Sequence, residues 1–305
     1  MATPIAVVGL GIMGSELARR LLDAGHPVRG FDIDPDRMEL FAAAGGTTAT
    51  SPAAAAAGCE IVVLSLLTSD ISREVCLGEN GLSSSDSRPL LVLDSTTGWP
   101  DDAVEIAGAL EREGIEYCDM TVSGNAASAR AGDLVVMFGG PEPAYRTAIP
   151  VMEVLGRAHH HVGPVGSASR MKLVVNHILS VNRAVLGEGL VAAELGGLDL
   201  DTTLEILRDS AAYSKAMDLW GPRMVAGDHD RPNARLRQSR KDAVLIAEHG
   251  RSLGASAPFI AVAESLLTEG VETGLGELDN SVVIEVLRRR AGIGRVPDSS
   301  RGGER

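Results

Sequence analysis

A lysine and an asparagine, Lys172 and Asn176, lie four residues apart inside one of the most apolar stretches of the chain. Residues at this spacing share one face of a helix, so both side chains should point the same way. A lysine on a helix is usually a solvated surface residue, but a lysine among apolar neighbours needs a partner or a wet cleft. Burial and a nearby positive charge favour the neutral amine. Lys172 is therefore a candidate acid/base group.

A glycine-rich run near the N-terminus has the spacing GxGxxG. It follows the predicted strand Ile5–Gly9, opens a predicted helix, and is followed 18 residues later by Asp32, which closes a second strand. Such glycines let a backbone approach a pyrophosphate, the helix N-terminus favours its charge, and the acid accepts hydrogen bonds from a ribose. A tight turn without a ligand is the alternative, but this context favours a dinucleotide site. Its residues are Gly9, Leu10, Gly11, Ile12, Met13 and Gly14.

A run of small residues, Thr121–Asn125, follows a predicted strand that ends at Asp119. Ligands bind beyond the carboxyl ends of parallel strands. Backbone N–H groups there, with the Ser123 hydroxyl, are suited to hold a carboxylate. Taken alone, the run is more simply explained as a plain turn.

Two other patterns invite a metal or redox interpretation. The three consecutive histidines 159–161 fall where the last strand of the first domain should end, and alternation along a strand lets at most two of them face one way. The three cysteines, at positions 59, 76 and 118, match no metal template and lie in apolar stretches. We therefore expect no metal site, and we expect buried free thiols in a reducing cytoplasm.

Composition excludes several classes of protein. The 305 residues carry a net charge of −13 and only 3% aromatic residues, so neither a basic footprint nor a stacking platform for nucleic acid is present. Because the N-terminus enters a strand pattern at once, we expect no signal peptide. Charged residues interrupt the longest apolar stretch, which argues against a membrane span.

Strand and helix patterns alternate through the first half of the chain and only helical patterns follow. Alternation of this kind predicts βαβ units in a doubly wound, mostly parallel sheet, and the continuous apolar runs predict strands covered on both faces. The predicted strands are Ile5–Gly9, Val28–Asp32, Ile61–Ser65, Leu90–Asp94, Ile115–Asp119 and Leu134–Phe138.

The expected organisation is an α/β Rossmann domain over residues 1–163, an all-helical domain over 164–295 and a disordered tail over 296–305. The helical domain should begin with one long helix, Ser167 to Leu195, which is apolar nearly all round and is therefore expected to be buried. A ligand cleft is expected where the two domains meet.

Five motifs in order resemble the β-hydroxyacid dehydrogenases, a family that includes 3-hydroxyisobutyrate dehydrogenase and tartronate semialdehyde reductase and is related to 6-phosphogluconate dehydrogenase. The motifs span about residues 4–290. They are the glycine-rich loop, a Ser-Thr pair ending at Thr96, the substrate loop Asp119–Leu134, the stretch Gly166–Asn176 that holds the family's lysine, and Lys241-Asp242. Without this context, Lys241-Asp242 is simply a solvated pair.

The chain departs from the family pattern at several positions. Met120-Thr121 stands where the family has Ala-Pro, and Asn125, Ser128 and Ala168 each stand where the family has glycine. Val175 also replaces an asparagine often found there. No catalytic group is removed, so these departures bear on substrate identity.

The resemblance implies reversible hydride transfer between a nicotinamide cofactor and a small 3-hydroxy acid or the matching semialdehyde. Lys172 then moves the hydroxyl proton, Asn176 orients the hydroxyl or the lysine, and Ser123 with the amides near Gly124 and Asn125 holds the carboxylate. An imine reductase of the same fold and a non-catalytic nucleotide-binding protein are the alternatives.

The expected cofactor contacts include Leu66, Thr96 and Lys241 besides the glycine-rich loop and Asp32. A carboxylate at position 32 favours NAD over NADP, because a 2′-phosphate would bring a second negative charge close to it. Arg37 lies near in sequence and could partly compensate, so NADP use stays open. The helical domain has more apolar surface than it needs to cover itself, and members of the family that the chain resembles associate through this region. We therefore expect a homodimer or homotetramer.

Overall fold

The computed structural model describes residues 3–85 and 87–293, and these divide into two compact units, one up to Val175 and the other from Asn176 onward. The tail predicted from residue 296 lies outside the described residues.

An eight-stranded sheet forms the first unit, in the order β3-β2-β1-β4-β5-β6-β7-β8 within the described residues. The six strands from β3 to β6 in this order run parallel, β7 is antiparallel to β6, and β8 is parallel to β7. The strands are β1 Ile5–Val8, β2 Val28–Phe31, β3 Thr47–Thr48, β4 Ile61–Leu64, β5 Leu91–Asp94, β6 Glu116–Ser123, β7 Leu134–Gly139 and β8 Gly156–Gly163.

Helices cover both faces of this sheet. Ile5 and Val7 of β1 lie in one core cluster, while Ala6 and Val8 lie in the other, because successive side chains of a strand point to opposite faces. Both faces being buried explains why these strands read as continuous apolar runs. The helices of this unit are α1 Ile12–Asp23, α2 Pro35–Ala43, α3 Pro52–Ala56, α4 Ser69–Leu77, α5 Pro100–Glu111, α6 Ala126–Ala131 and α7 Glu142–Leu155.

The mostly parallel Rossmann-like sheet is confirmed, and the six predicted strands are present with ends shifted by a few residues. Strand β3 was not predicted, and β8 was anticipated only as a last strand near the three histidines, without bounds. β3 has two exposed threonines, and the histidines of β8 break any apolar run, so neither carries the buried-strand signal. Within the part of the chain that the structure describes, β8 pairs with β7 alone, as an edge strand, which tolerates polar side chains.

The second unit is helical. Its first helix, α8 Ser167–Leu195, begins in the first unit and has the predicted bounds. Two short helices, Lys215–Leu219 and Gly221–Ala226, are separated at Trp220, where the chain turns before Pro222. The further helices are α9 Leu200–Asp209, α10 Lys215–Leu219, α11 Gly221–Ala226, α12 Leu236–Ser252, α13 Pro258–Gly270 and α14 Val283–Arg290.

Helix α8 is not buried all round, contrary to the expectation from its composition. Val174, Ile178 and Val185 are 54%, 58% and 61% exposed. Ser180 and Arg183, in contrast, are buried at 7% and 4%. An apolar helix can therefore expose part of its apolar surface while polar residues such as Ser180 and Arg183 are buried, which composition alone does not reveal.

Helices long and apolar enough to cross a membrane are not found in the described part of the chain. All three cysteines are free and buried. Among the described residues no group of three or more His, Cys, Asp or Glu side chains is arranged to hold a metal ion. His159 and His161 instead flank Tyr145, with a Tyr145 hydroxyl to His159 Nδ1 distance of 2.8 Å.

Candidate active site

The glycine-rich loop connects β1 to α1 and needs its glycines for different reasons. Gly9 has a φ of +91°, and a Cβ there would lie 2.3 Å from the Ser65 carbonyl oxygen. A Cβ at Gly14 would lie 1.9 Å from the Gly9 oxygen, so the helix packs directly on the turn. Gly11 is the N-cap of α1 and no side chain caps the helix. The first-turn N–H groups are thus available to an anion.

Asp32 follows β2 and is held tightly beside this loop. Its Oδ2 accepts a hydrogen bond of 2.6 Å from the Leu10 N–H, and its Oδ1 accepts one of 2.9 Å from the Asp34 N–H. Arg37 lies 3.7 Å from Asp32 and 3.1 Å from Asp34. Two carboxylates therefore share one guanidinium, and the local net charge is negative.

Leu66 and Thr96 meet at the ends of two adjacent strands, β4 and β5. The Leu66 N–H donates to Thr96 Oγ1 at 3.1 Å, and the Thr96 N–H donates to Asp94 Oδ1 at 2.8 Å. Tyr117 donates its hydroxyl to the other oxygen of Asp94 at 2.8 Å. The two bonds to Asp94 are buried and the bond from Leu66 is partly buried, so this network holds the main chain at the sheet edge.

The start of α8 is tied to β6 through a buried carboxylate that the sequence analysis did not single out. Asp119 is 1% exposed; its Oδ1 accepts from the Gly166 N–H at 2.8 Å and its Oδ2 from the Ser169 N–H at 2.7 Å. Burial raises the pKa of Asp119, while these two N–H groups oppose that rise. We call these two hydrogen bonds from Gly166 and Ser169 to Asp119 the Asp119 clamp. A Cβ at Gly139 would lie 2.3 Å from Asp119 Oδ1, so the Asp119 clamp requires glycine at this position of β7.

Lys172 lies one turn further along α8 and is half-buried. Its Nζ donates to the Val122 carbonyl oxygen at 2.7 Å, and Thr121 Oγ1 donates to the Ala168 carbonyl oxygen at 3.0 Å. The amine is thus held beside the carboxyl-terminal end of β6. An amine fixed in this way is suited to exchange a proton with a ligand at the sheet edge.

Ser123–Asn125 form the end of β6 and the turn after it. The placement of a turn from Thr121 was wrong, since Thr121, Val122 and Ser123 extend β6 and pair with β7. Only Gly124, with a φ of +142°, and Asn125 leave the strand. The Asn125 side chain caps α6 by accepting from the Ser128 N–H at 3.0 Å. The Asn125 side chain therefore has a structural role of its own.

In the second unit, Asn176 bonds to a carboxylate on α12. Its Nδ2 donates to Asp242 Oδ2 at 3.0 Å, and Lys241 Nζ lies 3.0 Å from Asp242 Oδ1. Asp242 therefore orients the amide of Asn176 and leaves the amide oxygen as the acceptor. Sequence spacing alone shows Lys241-Asp242 only as neighbours in the chain.

Comparison with known proteins agrees with this arrangement. The family model for the NAD binding domain of 6-phosphogluconate dehydrogenase matches residues 4–163, and the model described as NAD-binding of NADP-dependent 3-hydroxyisobutyrate dehydrogenase matches residues 166–287. The chain belongs to the β-hydroxyacid dehydrogenase family. It is accordingly an NAD(P)-dependent oxidoreductase with a Rossmann domain followed by a helical region.

Individual relatives of this β-hydroxyacid dehydrogenase match along nearly their whole length. The 2-(hydroxymethyl)glutarate dehydrogenase of Eubacterium barkeri is 30% identical over 289 residues, 95% of this chain and 96% of the relative. The NAD-dependent L-serine dehydrogenase of Pseudomonas aeruginosa is 31% identical and covers 92% and 96%. The structure of Mycobacterium tuberculosis 3-hydroxyisobutyrate dehydrogenase with L-serine superposes with a TM-score of 0.82, at 30% identity and 94% and 100% coverage.

Replacing Asp119 with asparagine should weaken the start of α8. An amide has one acceptor oxygen, so one of the two N–H groups would face an NH₂ donor, and a buried unpaired group costs about 1–3 kcal/mol. We expect the free energy of unfolding of Asp119→Asn to fall by about this amount in a denaturant titration.

Asp101→Asn is the matched control, because Asp101 also bonds to the first turn of α8, through Arg170 at 3.0 Å, but from an exposed position. The control should change stability little. If Asp119→Asn and the unmodified protein had the same free energy of unfolding, the Asp119 clamp would not stabilise the start of α8.

Proposed function

We propose that this enzyme transfers a hydride between NAD and a small 3-hydroxy carboxylic acid or the matching semialdehyde, with Lys172 as general acid and base. The observation that carries the proposal is the 2.7 Å hydrogen bond from Lys172 Nζ to the Val122 carbonyl, which holds the amine at the end of the strand that also carries Ser123. The relatives named above act on 2-(hydroxymethyl)glutarate and L-serine. Both molecules carry a CH₂OH group on the carbon that bears a carboxylate.

The residues of the first unit fit a dinucleotide. A Cβ at Gly9 or Gly14 would collide with backbone, the first turn of α1 has N–H groups without side-chain caps, and Asp32 closes β2 beside the loop. The loop and Asp32, with Leu66 and Thr96, would hold the cofactor, and Lys241 is the contribution expected from α12. When bound, the nicotinamide ring accepts or supplies the hydride.

The protein itself transfers the proton and holds the substrate in place. During oxidation the neutral amine of Lys172 takes the hydroxyl proton, and during reduction the ammonium returns it. Asn176, oriented by Asp242, accepts a hydrogen bond from the substrate hydroxyl or from the lysine. The Ser123 hydroxyl and the N–H groups near Gly124 and Asn125 hold the substrate carboxylate, so that the reacting carbon is kept in place.

Two alternatives lead to different results in one activity screen. An imine reductase would reduce cyclic imines and leave hydroxy acids untouched. A non-catalytic nucleotide-binding protein would bind the cofactor without turnover. Lys172 favours hydroxy-acid chemistry, because an acid/base amine beside a carboxylate-binding turn serves neither alternative.

Replacing Lys172 with alanine should abolish turnover while cofactor affinity stays nearly intact. General acid/base assistance contributes about 10²–10⁴ in rate, so kcat should fall by at least that factor. Lys215→Ala is the control, since Lys215 is exposed and pairs only with Asp218 among the described residues. Steady-state kinetics and cofactor titration measure both effects.

The rate of oxidation should also fall at low pH, where Lys172 is protonated and cannot accept a proton. A Lys172→Ala variant that keeps most of the original kcat would overturn the assignment. So would a flat rate profile from about pH 6 to 10 when the chemical step limits the rate.

We infer a preference for NAD over NADP. Asp32 is 8% exposed in its side chain and its two oxygens are held beside the glycine-rich loop, where a ribose is expected. Asp34 adds a second carboxylate, and Arg37 compensates for only one of the two charges. A 2′-phosphate would meet net negative charge in a partly dehydrated site, where like charges repel.

The kcat/KM ratio for NAD and NADP tests this preference. The unmodified enzyme should favour NAD, Asp32→Asn should narrow the gap, and Arg37→Ala should reduce use of NADP more than use of NAD. An unmodified enzyme that favours NADP would mean that Asp32 does not face the ribose.

We also infer that the enzyme is at least a homodimer in the cytoplasm. The exposed stripe Val174, Ile178 and Val185 on α8 is the kind of apolar surface that a second copy covers. Buried free thiols suit a reducing compartment.

Sedimentation of the unmodified chain at micromolar concentration should therefore show a dimer or larger species. Ile178→Glu and Val185→Glu should shift the equilibrium towards monomer, because a charge would be buried at the contact. Leu40→Glu, at a 71% exposed position of α2, is the control. A monomer in the unmodified protein would contradict the inference.

A further inference from the structure

Among the described residues of the helical unit, two arginines are almost completely buried, and their surroundings differ. Arg288 is 5% exposed and donates to Glu194 at 2.7 Å and to Glu285 at 2.6 Å. Arg183 is 4% exposed, and its hydrogen bond in the described part of the chain goes to the Ser180 hydroxyl, at 3.2 Å. Arg288 is thus neutralised by direct ion pairs, whereas most N–H donors of Arg183 have no such partner among the described residues.

The two acidic groups whose charges act on Arg183, Asp279 and Asp242, are already engaged elsewhere. Asp279 accepts from the Asn233 N–H at 2.8 Å and lies 3.4 Å from Arg223, and Asp242 bonds to Asn176 and Lys241. Burial lowers the pKa of the Arg183 guanidinium to about 10, and the charges of Asp279 and Asp242 only partly oppose that effect. A buried guanidinium with so few hydrogen bonds is costly to the free protein.

Trp220 explains how the guanidinium is held. The Arg183 Cζ atom lies over the Trp220 ring, 4.9 Å from its centre, which is a cation–π contact. The indole attracts the guanidinium without accepting conventional hydrogen bonds from its N–H groups, and such donors suit a carboxylate, which binds through two parallel hydrogen bonds. Trp220 lies between α10 and α11, at the point where one helix ends and the next begins.

Arg183 shares a face of α8 with the residue proposed to orient the substrate. Asn176, Ser180 and Arg183 follow one another at intervals of four and three residues. Arg183 Cα is about 10 Å along the helix axis from Asn176, and helical side chains lean towards the N-terminus, which brings the guanidinium back towards Asn176. The electrostatic attraction between Arg183 and Asp242, the partner of Asn176, agrees with this proximity.

We propose that Arg183, in cation–π contact with Trp220, binds a second anionic group of the substrate, so that the enzyme prefers 3-hydroxy acids with a distal carboxylate over monocarboxylates. This inference rests on the proposed function, because it assigns the remote end of the same substrate. The Lys172 and Asn176 end carries the chemistry, and the Arg183 end recognises chain length and charge.

Binding of unreactive probes to the NAD complex tests the proposal without relying on turnover. Glutarate and pentanoate have the same five-carbon chain and differ in the distal carboxylate. In calorimetric titrations, the unmodified enzyme should bind glutarate about 10- to 100-fold more tightly than pentanoate, the factor expected for hydrogen bonds to a charged group. Arg183→Met should remove this difference by lowering the affinity for glutarate while the affinity for pentanoate stays the same. Arg183→Lys should give an intermediate preference, since lysine keeps the charge but lacks the planar guanidinium.

Arg290→Met is the control variant, because Arg290 is an exposed arginine paired with Glu269. It should bind both probes as the unmodified enzyme does. Equal affinity for the two probes in the unmodified enzyme, or a preference that survives in Arg183→Met, would overturn the proposal. So would a variant that loses both probes equally together with thermal stability, since that is the behaviour of a purely structural residue. If Arg183→Met does not fold, Arg183→Lys decides by the same criterion.

Turnover of 2-(hydroxymethyl)glutarate and of 2-(hydroxymethyl)pentanoate separates this inference from the proposed function. Turnover of both with equal kcat/KM leaves the reaction standing and overturns the second anion site. An Arg183-dependent preference for glutarate without turnover of any hydroxy acid supports the anion site and overturns the reaction.

Discussion

The buried carboxylate of Asp119 is the contact on which the position of the reactive lysine depends. A helix begins with N–H groups that have no partner within the helix, and these groups carry the positive end of the helix dipole. Asp119 accepts from two of them, Gly166 and Ser169, from a place that water does not reach. Because the first turn of α8 is held against β6 in this way, Lys172 comes within hydrogen-bonding distance of Val122 one turn later.

Close packing of backbone on backbone fixes the position of the glycine-rich loop. Gly14 touches Gly9, and Gly9 touches Ser65 of the neighbouring strand end, so the loop has no room for a side chain at either position. Asp32 adds a hydrogen bond to Leu10 and so ties the loop to the end of β2. The parallel strands β2, β1, β4 and β5 thus end in a rigid edge, and the groups suited to a dinucleotide follow one another along it.

Helix α8 combines two requirements that usually belong to different helices. Its exposed apolar stripe, Val174, Ile178 and Val185, lowers the free energy only if another surface covers it. Its buried polar residues, Ser180 and Arg183, are costly unless a partner meets them. The apolar stripe and the buried polar residues therefore both need a partner. We assign the apolar stripe to a second copy of the chain and the side of Arg183 to the substrate.

The sequence by itself determined the α/β fold, the strands of its centre, the bounds of α8, and the local motifs, because apolar periodicity and glycine spacing act over short distances along the chain. It also identified Lys172, Asn176 and Asp32 as candidate residues. Contacts between distant segments were decided by tertiary structure alone. Asp119 and Gly166 are 47 residues apart, and Asn176 and Asp242 are 66 apart, so no local pattern connects them. Which face of α8 is buried was equally undetermined, since a helix apolar on nearly all sides has no periodicity that distinguishes inside from outside.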